Sequence, residues 1–128
     1  MYILDEYGHS IVSTRIIPVV PAIMLGYGKF GDRYLIIIFG REGDICIYLN
    51  NDEDEPSERI KNNTRIISAC LSFPDLLVVG ADQTLSHYAL SNSTFKLMAR
   101  RYKMKMGSQP LKVELMRVKG QKMTILAF

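Results

Sequence analysis

The sequence predicts an all-β fold, a partial β-propeller, and three observations carry that prediction. Its apolar runs are short and β-branched. Glycine and proline punctuate them at close intervals. One strand–turn–strand unit recurs forty residues further on.

The elements follow from these signals in order. Tyr2–Leu4 and Ile11–Ile17 read as strands closing one blade. Ala22–Leu25, Tyr34–Phe39, Ile45–Leu49 and a weak strand near Arg59–Lys61 read as the four strands of the next. Arg65–Leu71, Leu76–Gly80, Thr84–Ala89 and Phe95–Tyr102 make another. Val113–Met116 and Met123–Phe128 begin a further one. Residues 95–106 have helical propensity, yet Lys103, Met104, Lys105 and Met106 alternate with period two, which favours a strand. The expected division is therefore residues 1–17, end of a blade; 18–63, a blade; 64–110, a blade; and 111–128, the start of a blade.

The repeat is the most informative feature. Leu35–Leu49 (LIIIFGREGDICIYL) aligns with Asp75–Ala89 (DLLVVGADQTLSHYA), placing Gly40 on Gly80, Ile45 on Leu85 and Tyr48 on Tyr88. In each copy an apolar strand ends at glycine, crosses a polar turn and restarts as an alternating strand. Forty residues is the period of a four-stranded propeller blade. A strand with blades packed on both faces reads as a continuous apolar run, while a more exposed neighbour alternates. The chain ends within a strand pair, so it is expected to be a fragment, or to have its end faces covered by something else.

Composition bounds the function. Hydrophobic residues make up 48% of the 128, enough for a packed core, and the formal charge is only +3. A dedicated nucleic-acid surface concentrates more charge than that. The clustered cations are Arg100, Arg101, Lys103 and Lys105, around Tyr102; an outer strand with charges to solvent and Tyr and Met inward is the expected reading. The acidic stretch Asn50–Glu58 reads as a solvated loop, with docking onto a basic partner as the alternative. Cys46 and Cys70 are expected as buried, reduced thiols in a cytosolic chain, unless their strands lie side by side with disulfide geometry. The N-terminus has no basic region followed by a long apolar stretch, and the longest apolar run, Tyr34–Phe39, is too short to span a bilayer. The seven methionines are read as gap-fillers or as adaptable contact surface.

Candidate chemistry is sparse. Gly26-Tyr-Gly28-Lys-Phe-Gly31 matches G-x-G-x-x-G, but a dinucleotide site needs a helix to open there, and Asp32–Phe39 reads as a strand. These glycines are expected to shape the hairpin between two strands. His9 and His87 have no second ligand at metal spacing, and His87 reads as a half-buried strand residue. No nucleophile elbow is present. No catalytic, cofactor-binding or metal-binding residue is assigned, and no cofactor or small-molecule substrate is expected. The alternatives to a scaffold are a small β-domain binding nucleic acid through Arg100–Lys105, and a small hydrolase or cofactor enzyme, for which the sequence offers little.

The order of motifs along Pro18–Phe128 resembles the middle blades of the propeller in the Bardet–Biedl syndrome protein 1 family, subunits of the BBSome. Val19-Val20-Pro21 is similar to that family's V-P turn before a blade. Arg41–Tyr48 resembles its R-N-G-x-I-Y-I turn and strand. Leu76–Leu85 resembles its L-V-V-G-S-x-x-x-x-L segment; the acidic loop departs from it. The resemblance implies a non-enzymatic scaffold in ciliary membrane-protein trafficking, located in the cytoplasm and at the cilium or basal body. It implies other BBSome-type subunits and a GTP-bound Arf-like GTPase as partners, with membrane association through the complex. In the family the GTPase contacts blades near the ring closure, so no GTPase-binding residue is carried onto this chain.

Overall fold

A computed structural model of the chain describes residues 1–4, 7–14, 16–30, 33–49, 56–62, 64–90, 97–117 and 124–128. Every regular element among them is a strand. β1 (Tyr2–Leu4) and β2 (Ile11–Thr14) pair antiparallel. β3 (Pro21–Phe30), β4 (Arg33–Gly40), β5 (Asp44–Leu49) and β6 (Glu58–Lys61) form a four-stranded antiparallel sheet in chain order. β7 (Ile66–Ser72), β8 (Asp75–Gly80), β9 (Thr84–Leu90) and β10 (Leu97–Lys105) form a second. β11 (Val113–Met116) and β12 (Thr124–Ala127) pair at the C-terminal end.

The repeat in sequence is a repeat in register. Ile37 pairs with Ile47 and Phe39 with Ile45; forty residues on, Leu77 pairs with His87 and Val79 with Leu85. Both hairpins turn the same way. Gly43 N–H donates to the Gly40 carbonyl at 3.1 Å, and Gln83 N–H to the Gly80 carbonyl at 3.2 Å. The third residue of each turn has positive φ, +100° at Gly43 and +66° at Gln83. Gly40 and Gly80 sit in like surroundings. A Cβ at Gly40 would meet Val19 and Asp44; one at Gly80 would meet Thr64 and Thr84, the corresponding neighbours, and more closely, with Asp82 nearest of all.

Alternation then decides which way each side chain faces. Leu35, Ile37, Phe39, Ile45 and Ile47 leave one face of the first four-stranded sheet and pack on Leu76, Val78, Tyr88 and Leu90 of the second. Leu77, Val79 and Leu85 leave the far face of the second sheet and meet Val113, Leu115 and Ile125 of the β11–β12 pair. Ile38, Cys46 and Tyr48 leave the near face of the first sheet and meet Met1, Ile17 and Val19. Residues forty apart thus face the same direction around the stack. Each fully buried Leu or Ile in these layers contributes roughly 2 kcal/mol of hydrophobic stabilisation.

The structure departs from the sequence reading at several places. Gly26 and Gly28 do not shape a hairpin: they lie inside β3, paired with Ile36 and Tyr34, and the strand continues to Phe30. Hydrogen bonding along the long apolar β4 carries its partner with it. Nothing lies within 4 Å of a Cβ at Gly26, so no steric need for glycine shows there. β2 ends at Thr14 rather than Ile17, because Ile17 leaves the pair to pack on the first four-stranded sheet. Residues 95–106 do form a strand, over Leu97–Lys105, but Met104 is 53% exposed instead of inward. β10 is the outermost strand, and a register irregularity between Arg100 and Tyr102 interrupts the simple alternation. Residues 50–55 of the acidic loop lie outside the described residues.

Candidate functional site

Two features organise the polar chemistry. The first is a buried tie between sheets. The β8–β9 register sets Leu77 opposite His87, so Asp75, two residues earlier on β8, lies on the same face as His87. His87 Nε2 and Asp75 Oδ1 are 2.6 Å apart, and both residues are buried. That face looks toward β11. There Arg117, just past the strand end, donates to Asp75 Oδ2 and to the Ser72 carbonyl, the latter at 3.2 Å. One carboxylate thus receives an imidazole from its own sheet and a guanidinium from the next. Nearby, Val113 N–H donates to Ser68 Oγ at 3.3 Å. Burying a carboxylate is costly unless it is paired and hydrogen-bonded, and here it is both.

His87 is therefore not the half-buried residue that its tripeptide context suggested; it is 4% exposed and committed to Asp75. Twelve residues separate the two, so no local motif shows them. The signal was available in the repeat: once the two copies are aligned, the hairpin register puts Asp75 and His87 on one face. Buried in a sheet, the pair cannot meet a substrate. What the geometry supports is fixing the angle between neighbouring sheets.

The second feature is the turn edge. The Gly40–Asp44 and Gly80–Thr84 turns lie at the same end of their sheets as the connections that enter and leave them. Arg41 N–H donates to the Val20 carbonyl and Ala81 N–H to that of Arg65, at 2.9 and 2.8 Å. Asn62 N–H donates to Gly43 and Met106 N–H to Gln83, at 3.3 and 2.8 Å. Charged side chains of both signs project here: Arg41, Glu42, Lys61, Arg65 and Asp82 are exposed. Asp82 accepts from the Thr84 hydroxyl and, at 3.3 Å, from Thr84 N–H. Burial would raise its carboxyl; the two Thr84 bonds and the Lys103 charge outweigh that and hold it below the usual aspartate range.

The remaining candidates stay apart. His9 is exposed and stacks near Tyr7, ring centroids 6.1 Å apart. Cys46 and Cys70 are both free; Cys46 is buried, whereas Cys70 is only half-buried, on the first strand of its sheet. Burial pushes the Cys46 thiol up, against the Arg59 charge and with that of Asp44. Lys103 and Lys105 are exposed on β10. Among the described residues no three His, Cys, Asp or Glu side chains come together to hold a metal. No helix of the described residues is long and apolar enough to cross a membrane.

Four antiparallel sheets, stacked face to face in chain order at a forty-residue repeat, are sectors of a wheel. Two crystal structures of BBS1N in complex with ARL6DN, one soaked with mercury and one with lead, match the chain with TM-scores of 0.78 and 0.77. The fold is that of a β-propeller. Each match is 18% identical and covers 98% of this chain and 36% of the other, so the chain spans little more than a third of the propeller-containing chains it matches. No family model matches the chain, and no curated protein matches it in sequence. The propeller fold that the resemblance implied is met in three dimensions.

Proposed function

We propose that the chain is a non-catalytic propeller scaffold that holds protein partners in a complex of BBSome type, serving ciliary membrane-protein trafficking. In this reading residues 1–17, 18–63, 64–110 and 111–128 are successive sectors. Its partners are other subunits of such a complex and an Arf-like GTPase, and it reaches membranes through the complex, from the cytoplasm at the cilium.

One observation supports this most. The four antiparallel sheets, stacked in chain order, share the fold of BBS1N over 98% of this chain. The neighbour of like fold was solved with ARL6DN bound, which suggests the GTPase class. The buried imidazole of His87 is engaged in joining sheets, which favours a structural role over catalysis.

A nucleic-acid surface along Arg100–Lys105 is less well supported, since Lys103 lies toward Asp82, 4.0 Å away, and the net charge is small. The test is size-exclusion chromatography of the full-length protein mixed with purified BBSome-type subunits, with and without a GTP-loaded Arf-like GTPase. Coelution with at least one subunit is expected. Elution alone in every mixture, or tighter salt-dependent binding of single-stranded RNA, would overturn the proposal.

A further inference from the structure

Between the first and second four-stranded sheets, at the turn edge, lies a cavity of about 170 Å³. It sits directly above the apolar layer that joins the two sheets, with Val78 at its floor. Its polar wall is made by Lys61 of the first sheet, Thr64 of the connection, and Asp82, Thr84, Ser86 and Lys103 of the second. The β10–β9 register explains part of this: Lys103 pairs with Ser86 on one face.

The charges in this wall do not cancel. Asp44, the register neighbour of Lys61, is taken by Arg59 at 3.5 Å. Lys61 itself pairs with no carboxylate among the described residues. Asp82 spends Oδ1 on Thr84, and its Oδ2 is only loosely matched by Lys103 at 4.0 Å. Two ammonium groups against one carboxylate leave a net single positive charge, with the Ser86 hydroxyl in the same wall. None of the lining side chains is aromatic, so no base can stack there. A doubly charged phosphate would overshoot the free charge and face Asp82.

We propose that this cavity is a binding pocket for a single carboxylate, the side chain of an acidic peptide segment on a protein partner. The choice of a protein source rests on the scaffold reading above. Lys61 and Lys103 clamp the carboxylate from the two sheets, and Ser86 donates a hydrogen bond from below. Asp82 sets the selectivity, by leaving room for one negative charge and repelling two. Because the clamp joins adjacent sheets, occupancy also holds their spacing.

The test uses the full chain and a fluorescently labelled hexaglutamate peptide, followed by anisotropy, with hexaglutamine, a phosphoserine peptide and single-stranded RNA in parallel. Hexaglutamate binds saturably and hexaglutamine does not. Lys61→Gln with Lys103→Gln weakens it roughly tenfold or more, the loss expected for removing charge-assisted hydrogen bonds. Lys112→Gln, on the C-terminal segment and paired with Glu114, changes it less than about twofold. Asp82→Asn strengthens phosphoserine binding more than hexaglutamate binding. Unchanged melting of each variant shows that folding is kept; Lys61→Met repeats the test if the double variant melts early. No saturable hexaglutamate binding, equal losses in Lys112→Gln, or tighter binding of the phosphoserine peptide or RNA by the unaltered chain would overturn the pocket. The scaffold reading is judged separately by subunit coelution, which stands or falls without hexaglutamate.

Discussion

The two four-stranded sheets are one design built twice, and they differ most on one diagonal. In the first sheet Leu35 and Ile47 occupy the positions that Asp75 and His87 occupy in the second. Leu35 and Ile47 are fully buried and face the apolar layer of the second sheet. Asp75 and His87 are buried to nearly the same degree, but face Arg117. Identical backbone register therefore tolerates either an apolar or an ionic joint. The apolar joint takes its stability from area and is indifferent to small rotations. The ionic joint demands a partner at a fixed distance, so it specifies which strand comes next and at what angle. The comparison teaches that the register is set by backbone pairing and the turns, while the diagonal residues choose how one sheet recognises another.

Breaking the ionic joint should give the largest effect. Asp75→Leu leaves the buried His87 imidazole without its carboxylate and cuts the tie to Arg117, and should cost on the order of 3–4 kcal/mol in urea unfolding. Adding His87→Ile converts the diagonal to that of the first sheet. The double variant should recover most of the loss, since replacing a buried ion pair by packed apolar groups is often neutral. Arg117 is half-exposed and can turn to water. If the double variant is no better than the single one, the two diagonals are not interchangeable.

The turns sharpen the comparison from the other side. A Cβ at Gly43 would lie 2.3 Å from the Thr64 carbonyl oxygen, at φ +100°. Gly43→Ala should cost about 3 kcal/mol, from strain and a backbone clash. The equivalent Gln83 already sits at φ +66° with a side chain. Gln83→Gly should be neutral to about 1 kcal/mol stabilising, as relief of the left-handed conformation competes with unfolded-state entropy. Thermal midpoints of the two variants should move in opposite directions, or one should not move at all.

How much of this was legible is itself uneven along the chain. Wherever a strand is apolar and a turn carries glycine, as at Leu35–Gly40 and Asp44–Leu49, local pattern suffices, because burial on both faces forces the composition. The stacking was legible through the forty-residue interval. The Asp75–His87–Arg117 joint was not read: the hairpin register of the repeat puts Asp75 and His87 on one face, but each looks ordinary in its own segment, and only tertiary packing brings Arg117 to them. Met104 was misplaced because alternation says which side a residue faces, not whether anything covers that side. The pocket lay equally out of reach, since Lys61 and Lys103 belong to different sheets.

The thiols offer a smaller contrast. Cys46 lies in an inner strand with no exposed surface, and burial raises its pKa, so less of the reactive thiolate forms. Cys70 is half-buried on the first strand of its sheet. Under native conditions a maleimide should label Cys70 first, with Cys46 slower by about tenfold or more, as burial and a raised pKa both act against it. Equal rates would mean that the near face of the first sheet opens freely.

The smallest effect belongs to Asp82, and its sign follows from the turn. The folded carboxyl titrates below the ordinary aspartate value of 3.8, held there by Thr84 and Lys103 against the opposing effect of burial. A group lowered in the folded state gives stability that is present above its unfolded value and lost as pH falls through the folded one. The chain should therefore lose a small increment of stability on acidification below pH 3.8. Thr84→Val should shrink that increment, and Asp82→Asn should abolish it while leaving the neutral-pH melting point slightly lower. In the first sheet Glu42 and Asp44 stand at the matching positions, with no hydroxyl between them. Glu42→Gln is the control at the matching turn position of the first sheet. If Glu42→Gln and Asp82→Asn flatten it alike, acid sensitivity belongs to the turn edge as a whole rather than to the Asp82–Thr84 bond.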